Sequence, residues 1–192
     1  MKVLLINMDF PPVTNAAASL YYDLGSSLQL LGHSVSVLTS MPLGSPEKAD
    51  FVTEEINGMK VFRVKRGNFK KTDFFRRGIE WLFIYKKFSK LYKKYLKENP
   101  DMIPEVVIVH SPLLTLGYTA HDIVKEFGGT FILNVQDLYP QTAIDLGVLK
   151  NKLIIKYFRY LERDIYSKAD YLVVHSKRNA KFVSDIDKRN DK

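Results

Sequence analysis

The sequence alternates between short apolar runs and segments whose apolar residues recur at helical spacing. Leu20, Leu24, Leu28 and Leu31 show that spacing before Gly32, for example. The apolar runs predict six strands: KVLLIN (2–7), SVSVLT (34–39), MKVFRVK (59–65), PEVVIVH (104–110), TFILNV (130–135) and YLVVH (171–175). Strands that alternate with helices pair in parallel, and nearly continuous apolar strands indicate a sheet covered on both faces. We therefore expect an α/β fold: a doubly wound, mainly parallel Rossmann-like sheet with strand order 3-2-1-4-5-6.

Length and composition point to one globular unit. A chain of 192 residues suffices for a single domain with its own core, so we assign residues 1–192 to one domain. It contains no cysteine, which excludes disulfides and thiolate metal sites. The apolar start of MKVLLINMDF is too short for a signal-peptide core, and no run approaches the length of a membrane span. We expect a cytoplasmic protein.

Positive charge is concentrated in one part of the chain. Residues 60–97 hold fourteen Lys and Arg against two acidic residues, whereas the rest of the chain holds fifteen basic and nineteen acidic residues. A basic patch of this kind attracts an anionic surface, either nucleic acid or lipid headgroups.

In doubly wound sheets, ligands bind beyond the carboxyl ends of the strands, so the residues at those ends are the candidates for a site. The fourth predicted strand ends at His110 and is followed by Ser111; the fifth leads to Gln136 and Asp137, and the sixth to His175 and Ser176. A lone strand-end histidine is more often structural than catalytic, but several polar groups at one rim favour a function. The spacing matches neither a metal site nor a serine-hydrolase triad, so we expect no metal.

The first loop carries no phosphate-binding signature. The chain contains neither G-x-G-x-x-G nor a Walker loop, which disfavours a tightly bound dinucleotide. Asn15 is suited to cap the following helix. The alternative is that the helix start at Ala16 leaves N–H groups free for an anion or a sugar hydroxyl. Glu47 and Glu55 match the E-x₇-E pattern of some sugar transferases, but they straddle a loop and the approach to a strand, so we interpret the match as chance.

Several segments together resemble one enzyme family. They are NAAASLYYDLGSSLQLLGHSVSVLT, VVIVHSPLLTLG, VQDLYPQTAIDLGVLKN and LERDIYSKADYLVVHS, which occur in the family's order from residue 1 to about residue 185. The chain resembles the amino-terminal half of family 4 retaining glycosyltransferases. It is most similar to the group that builds bacterial surface polysaccharides, including the N-acetylfucosamine transferases.

The resemblance implies one half of a GT-B fold, in which two Rossmann-like domains enclose the active site. By that resemblance, the half present here should bind the acceptor; the other half binds the nucleotide-sugar donor, and we expect it to be absent from this chain. The implied partners are therefore a donor-binding domain or subunit and a lipid-linked glycan acceptor. The implied reaction is sugar transfer with retention, with the nucleotide-sugar as co-substrate and no other cofactor.

The resemblance also suggests residue roles. It places Asp137 and Gln136 nearest the reacting sugar as catalytic residues. The residues expected to bind the acceptor are Asn15, Ala16, His110, Ser111 and Ser176. Many members of the family have Gly-Gly where this chain has Asn15-Ala16, which leaves acceptor contacts at this loop open.

The basic segment predicts an amphipathic helix. An aromatic stripe should pack on the sheet: Phe74, Trp81, Tyr85, Phe88, Tyr92 and Tyr95. The outward side combines basic with apolar residues, including Leu82, which is typical of a helix lying on an anionic membrane surface. The residues predicted to bind the membrane are Phe75, Arg76, Ile79, Phe83, Lys86, Lys87, Lys90 and Lys94.

Three alternatives stay open. The apolar members of that outward side, Phe75, Ile79 and Phe83, could instead cover a loop or the missing domain. The whole chain could be a non-catalytic, membrane-recruiting or scaffold subunit that activates a separate partner. Nucleic-acid binding is the weakest, because the patch is one helix without a recognition motif, so we expect no nucleic-acid partner.

Overall fold

A computed structural model describes residues 1–67 and 74–186, with the side chains of residues 74–79 left out of the description. Its seven strands are β1 Lys2–Ile6, β2 Ser34–Ser40, β3 Phe51–Ile56, β4 Met59–Val64, β5 Val106–Ser111, β6 Thr130–Val135 and β7 Tyr171–Val174. The helices are α1 Ala16–Leu30, α2 Phe74–Glu98, α3 Leu116–Phe127, α4 Gln141–Asp145, α5 Lys152–Lys168 and α6 Lys177–Ile186, with a 3₁₀ turn at Pro100–Met102.

The strands form one sheet in the order β3-β4-β2-β1-β5-β6-β7. All neighbouring pairs are parallel except β3 with β4. The predicted fold class is confirmed, and the six predicted strands take the predicted order. The strand order reverses between β1 and β5, because the connection from β1 runs to one side of the sheet and the connection from β5 to the other.

Two short elements were not predicted. Strand β3 forms an antiparallel hairpin with β4 across Asn57-Gly58, whose φ angles of 49° and 74° suit a tight hairpin turn. Its middle residues are polar and exposed, so an apolar run could not reveal it. Helix α4 has five residues, too few for helical periodicity to show.

The sheet has an apolar core on each face. One core joins alternate strand residues, including Leu4, Ile6 and Phe62, to helices α2, α3, α5 and α6. The other joins the intervening residues, such as Leu5 and Val37, to Tyr21 of α1. This division follows from the period of two along each strand, which sends neighbouring side chains to opposite faces.

Helix α2 is rotated slightly from the predicted phase. Phe88 and Tyr92 are buried as predicted, and Tyr85 and Tyr95 are half-buried. The prediction was wrong for Trp81, which is 44% exposed, and for Leu82, which packs against the core instead of facing outward. The buried row follows a strict four-residue spacing, Ile84, Phe88, Tyr92 and Leu96, whereas the aromatic stripe alternated between spacings of three and four.

The outward side of α2 is partly as expected. Lys86, Lys90 and Lys94 are exposed, but Lys87 is only partly so: its Nζ donates to Asp50 Oδ1 at 2.7 Å and to the carbonyl oxygen of Lys65 at 3.0 Å. Its assignment as a membrane-binding residue stays a prediction. The side chains of Phe75, Arg76 and Ile79 lie outside the described residues, as does that of Phe74. No helix in the described part of the chain has the length and apolar composition to cross a bilayer.

The phase of α2 predicts different effects for two of its phenylalanines. Phe88 is fully buried and Phe83 is 52% exposed. Phe88→Ala should lower the free energy of unfolding by about 3–5 kcal/mol, because it leaves a cavity in the core. The matched change Phe83→Ala should lower it by less than about 0.5 kcal/mol. Urea denaturation measures both, and equal losses would show that the phase is wrong.

Candidate functional site

A cavity of about 810 Å³ opens at the carboxyl ends of β1 and β5, where the strand order reverses. Its walls come from the loops after β1 and β5 and from α2 and α5. Most of the lining is apolar: Met8, Val13, Ala17, Leu43, Trp81, Leu82, Pro112, Leu113, Leu114, Leu116, Tyr139, Phe158 and Leu161. Five polar residues interrupt it: Asn7, Asp9, Arg66, His110 and Thr115. A largely apolar cavity with a few polar groups at this position is the usual form of a ligand site in such sheets.

His110 is the predicted site residue that lies in this cavity. It is 8% exposed, and its ring packs edge-on against Tyr21 with centroids 5.0 Å apart. Its Nδ1 has no hydrogen-bond partner among the described residues, and neither has Oγ of the fully buried neighbour Ser111. Buried polar atoms are nearly always bonded in native proteins, so unpaired ones at a cavity are available to a ligand or to water.

Electrostatics link His110 to charged residues both in the cavity wall and outside it. Burial lowers the pKa of His110 from the usual 6.5, and the positive charge of His175 acts in the same direction. The negative charges of Asp137 and Asp9 oppose the shift. The His110 imidazole is therefore neutral at pH 7, when one ring nitrogen donates a hydrogen bond and the other accepts.

A second group of polar residues joins the ends of β6 and β7. His175 Nε2 lies 2.8 Å from Asn134 Oδ1, and Gln136 Nε2 donates to the same oxygen at 3.4 Å. The sequence reading missed Asn134. The signal was present, because Asn134 is the one polar residue between the apolar positions of TFILNV, just as Asn7 is in KVLLIN.

Neither Asp137 nor Gln136 lines the cavity. Asp137 is exposed and Gln136 is half-buried, both directly after β6. Asp137 is near enough to His110 to oppose the lowering of its pKa. The structure thus brings Asp137, His110 and His175 into one electrostatic neighbourhood at the rim.

Helix α4, which follows Asp137 in the chain, is bonded to α5. Arg159 of α5 donates from Nη1 to Glu162 Oε2 at 2.9 Å and from Nη2 to Gln141 Oε1 of α4. Glu162 is fully buried, and burial raises the pKa of its carboxyl group. The hydrogen bond from Arg159 to Gln141 links α4, and with it the segment after Asp137, to α5.

The other predicted residues have local structural partners. Asn15 caps α1, accepting from the N–H of Ala18 at 2.8 Å, and its Nδ2 donates to Asp9 Oδ2 at 2.9 Å. Ala17, and not Ala16, lines the cavity. Ser176 Oγ accepts from the N–H of Asn179 at 3.0 Å at the start of α6. Their roles in acceptor binding stay predictions.

Arg66 supplies positive charge to the cavity wall. Its guanidinium lies 3.6 Å from Glu80, both side chains are 9% exposed, and its Nε has no partner among the described residues. The sequence reading did not single it out, because it is one of many basic residues in the patch.

As for metals, no group of three or more His, Asp or Glu side chains within residues 1–67 and 74–186 is placed to hold an ion.

Solved structures of sugar-transferring enzymes share the fold of this chain. Sucrose-phosphate synthase from Thermosynechococcus elongatus is 14% identical, and the match covers 97% of this chain and 45% of the enzyme with a TM-score of 0.68. An α,α-trehalose-phosphate synthase from Burkholderia vietnamiensis is 12% identical, with coverage of 98% and 42% and a TM-score of 0.53. For Arabidopsis thaliana UGT89C1 complexed with UDP-L-rhamnose, the identity is 15%, the coverage 97% and 45%, and the TM-score 0.55.

These neighbours are GT-B glycosyltransferases. The chain has the fold of one Rossmann-like half of such an enzyme. It spans 45% of the length of the sucrose-phosphate synthase, and identities this low show the fold alone. No protein-family model and no curated protein matches the sequence. The grouping with family 4 and the N-acetylfucosamine transferases stays a prediction.

The rim geometry predicts a pH response. In an NMR titration, His110 should titrate below 6.5, and Asp137→Asn should lower its pKa further by removing an opposing negative charge. Since the depressed pKa favours the neutral ring in the folded state, the contribution of His110 to stability is present above pH 6.5 and is lost as the pH falls below it. Asp101→Asn, in the 3₁₀ turn, is the matched control. If Asp137→Asn leaves the pKa of His110 unchanged, the two residues do not interact electrostatically.

Proposed function

We propose that this chain is the acceptor-binding half of a retaining glycosyltransferase that acts in surface polysaccharide synthesis. A donor-binding domain or subunit would supply the nucleotide-sugar, and the acceptor would be a lipid-linked glycan. The observation that carries the proposal is the cavity at the reversal between β1 and β5, the usual ligand position in a sheet of this kind. The GT-B fold of the neighbours supports sugar transfer.

The chemistry of the cavity supports an amphiphilic acceptor. Leu82, Leu114, Phe158 and Leu161 offer apolar walls, which gain free energy by burying hydrocarbon from water. Arg66 offers a guanidinium, the group best suited to paired hydrogen bonds with phosphate oxygens. A molecule with both features is a lipid that carries a phosphate or diphosphate, with the glycan extending towards the rim.

The rim residues would then orient the acceptor. The neutral His110 has an unpaired Nδ1 with which to position a sugar hydroxyl, and Asp137 lies at the exposed edge where a donor would approach. Holding two reactants in the correct geometry supplies a large share of the rate in a transfer reaction. Charge on the leaving diphosphate would be stabilised by the donor-binding partner, because this chain has no phosphate-binding loop motif.

The same lack of a loop motif favours one second candidate, a non-catalytic subunit that recruits or activates a separate enzyme. The two functions differ at the cavity. An acceptor-binding half needs the cavity to take a ligand, and a scaffold does not.

Trp81 provides a direct readout, because it is the single tryptophan of the chain and lines the cavity. Farnesyl diphosphate, which joins an isoprenoid chain to a diphosphate, should change Trp81 fluorescence in a saturable way. It should bind more tightly than farnesol or inorganic diphosphate alone, since each of those contacts only part of the cavity.

Arg66→Gln should weaken farnesyl diphosphate binding by about tenfold to a hundredfold, as expected for the loss of a charged hydrogen bond. Arg178→Gln, on the exposed start of α6, removes the same charge and should leave binding unchanged. Circular dichroism checks that both variants fold. If farnesol and farnesyl diphosphate bind equally, or if neither binds, the cavity is not a lipid-diphosphate site.

A further inference from the structure

Positive charge is concentrated on one face of the molecule. From residue 80 onwards, α2 together with α3 and α5 carries twelve basic and six acidic residues. These three helices contribute to one core on the same face of the sheet. Helix α1, which packs on the opposite face, carries one acidic residue and no basic one. The excess of positive charge is therefore a property of one broad face of the sheet and not of a single helix.

The acidic residues of this face are largely engaged. Glu126 binds Lys93 and Lys97, with N–O distances of 2.9 and 2.7 Å, and Asp164 binds Lys168 at 2.5 Å. Lys86, Lys90, Lys152 and Lys156 are exposed, and no ion pair among the described residues involves them. These lysines leave a net positive field for an outside partner.

Large apolar side chains lie among these lysines. Phe83 of α2 is 52% exposed, and on α5 Leu153 is 79%, Tyr157 44% and Tyr160 59% exposed. Lys86 Nζ lies 5.1 Å from the centre of the Phe83 ring. Isolated exposed apolar residues need no explanation, but aromatic and aliphatic residues mixed with lysine along two helices have the composition of an interfacial surface.

The cavity opens beside this surface. Trp81 and Leu82 of α2 line it, as do Phe158 and Leu161 of α5, and Trp81 is itself 44% exposed. A lipid lying against α2 and α5 would thus be next to the apolar lining of the cavity. Aliphatic residues such as Leu153 do not stack on bases, so the surface suits a bilayer better than a nucleic acid.

We propose that the outward face of α2 and α5, centred on Phe83, Lys86, Lys90, Leu153, Lys156 and Tyr157, binds the surface of an anionic lipid bilayer. Lysines would contact the headgroups, and the aromatic and aliphatic side chains would insert at the boundary with the acyl chains. Sequence reasoning placed this role on α2 alone; the structure adds α5. The proposal concerns binding only and stands apart from sugar transfer.

The charge contribution is tested by sedimentation with vesicles of phosphatidylcholine, with or without phosphatidylglycerol. The wild-type chain should sediment with the anionic vesicles, and high salt should release it. Lys86→Glu with Lys90→Glu should weaken binding by on the order of fivefold or more for each lysine. Lys2→Glu with Lys48→Glu makes the same charge change at exposed positions outside the three helices and should have little effect.

The apolar contribution is tested without any change of charge. Leu153→Ser with Tyr160→Ser should reduce sedimentation with anionic vesicles at least severalfold. Leu20→Ser with Leu30→Ser, at exposed positions of α1 on the opposite face, is the matched control and should leave binding unchanged.

Three results would overturn the proposal. They are equal binding to neutral and anionic vesicles, no binding to either, and equal losses in the test and control variants. A duplex oligonucleotide that binds the wild-type chain while anionic vesicles do not would instead assign the face to nucleic acid. Circular dichroism of every variant separates a loss of binding from a loss of fold.

Discussion

Parallel pairing is the constraint on which the rest of this structure depends. Parallel strands need long crossovers, so every parallel strand points its carboxyl end to the same edge, and helices must cover the faces. Because the connections leave β1 and β5 in opposite directions, no crossover closes the edge between them. The cavity is the result, and it receives residues from the loops after both strands. The site is thus a consequence of topology before any particular side chain is considered.

Desolvation then determines what the cavity can bind. His110 Nδ1 and Arg66 Nε, which belong to residues of the cavity wall, lack protein partners among the described residues, although both atoms are buried. An unpaired buried polar atom costs about 1–3 kcal/mol, and a ligand that bonds to it recovers that free energy. Apolar walls around these few polar atoms favour a ligand with a hydrocarbon part and a polar head. The proposed lipid-linked acceptor meets that requirement.

The sequence predicted the fold better than the site. Apolar runs revealed the sheet, because buried parallel strands must be apolar on both faces, but the polar edge strand β3 carries no such signal. Helical spacing predicted that α2 would pack on the sheet, yet it could not show that Lys87 bonds to Asp50 from a distant loop. Arg66 was missed because it is one of many basic residues in the patch, whereas Asn134 carried a signal that was not used, a polar residue inside an apolar strand. The rim itself was predictable, since strand ends meet at one edge.

The most direct test of the proposed function is sugar transfer by this chain combined with a donor-binding partner. The assay would supply a nucleotide-sugar and a polyprenyl-diphosphate-linked glycan. If the chain orients the acceptor, Asp137→Ala should reduce turnover by about a hundredfold or more while the fold is retained, and the exposed control Asp101→Ala should not. Unchanged turnover in the Asp137→Ala variant would contradict the account by removing the rim from the reaction.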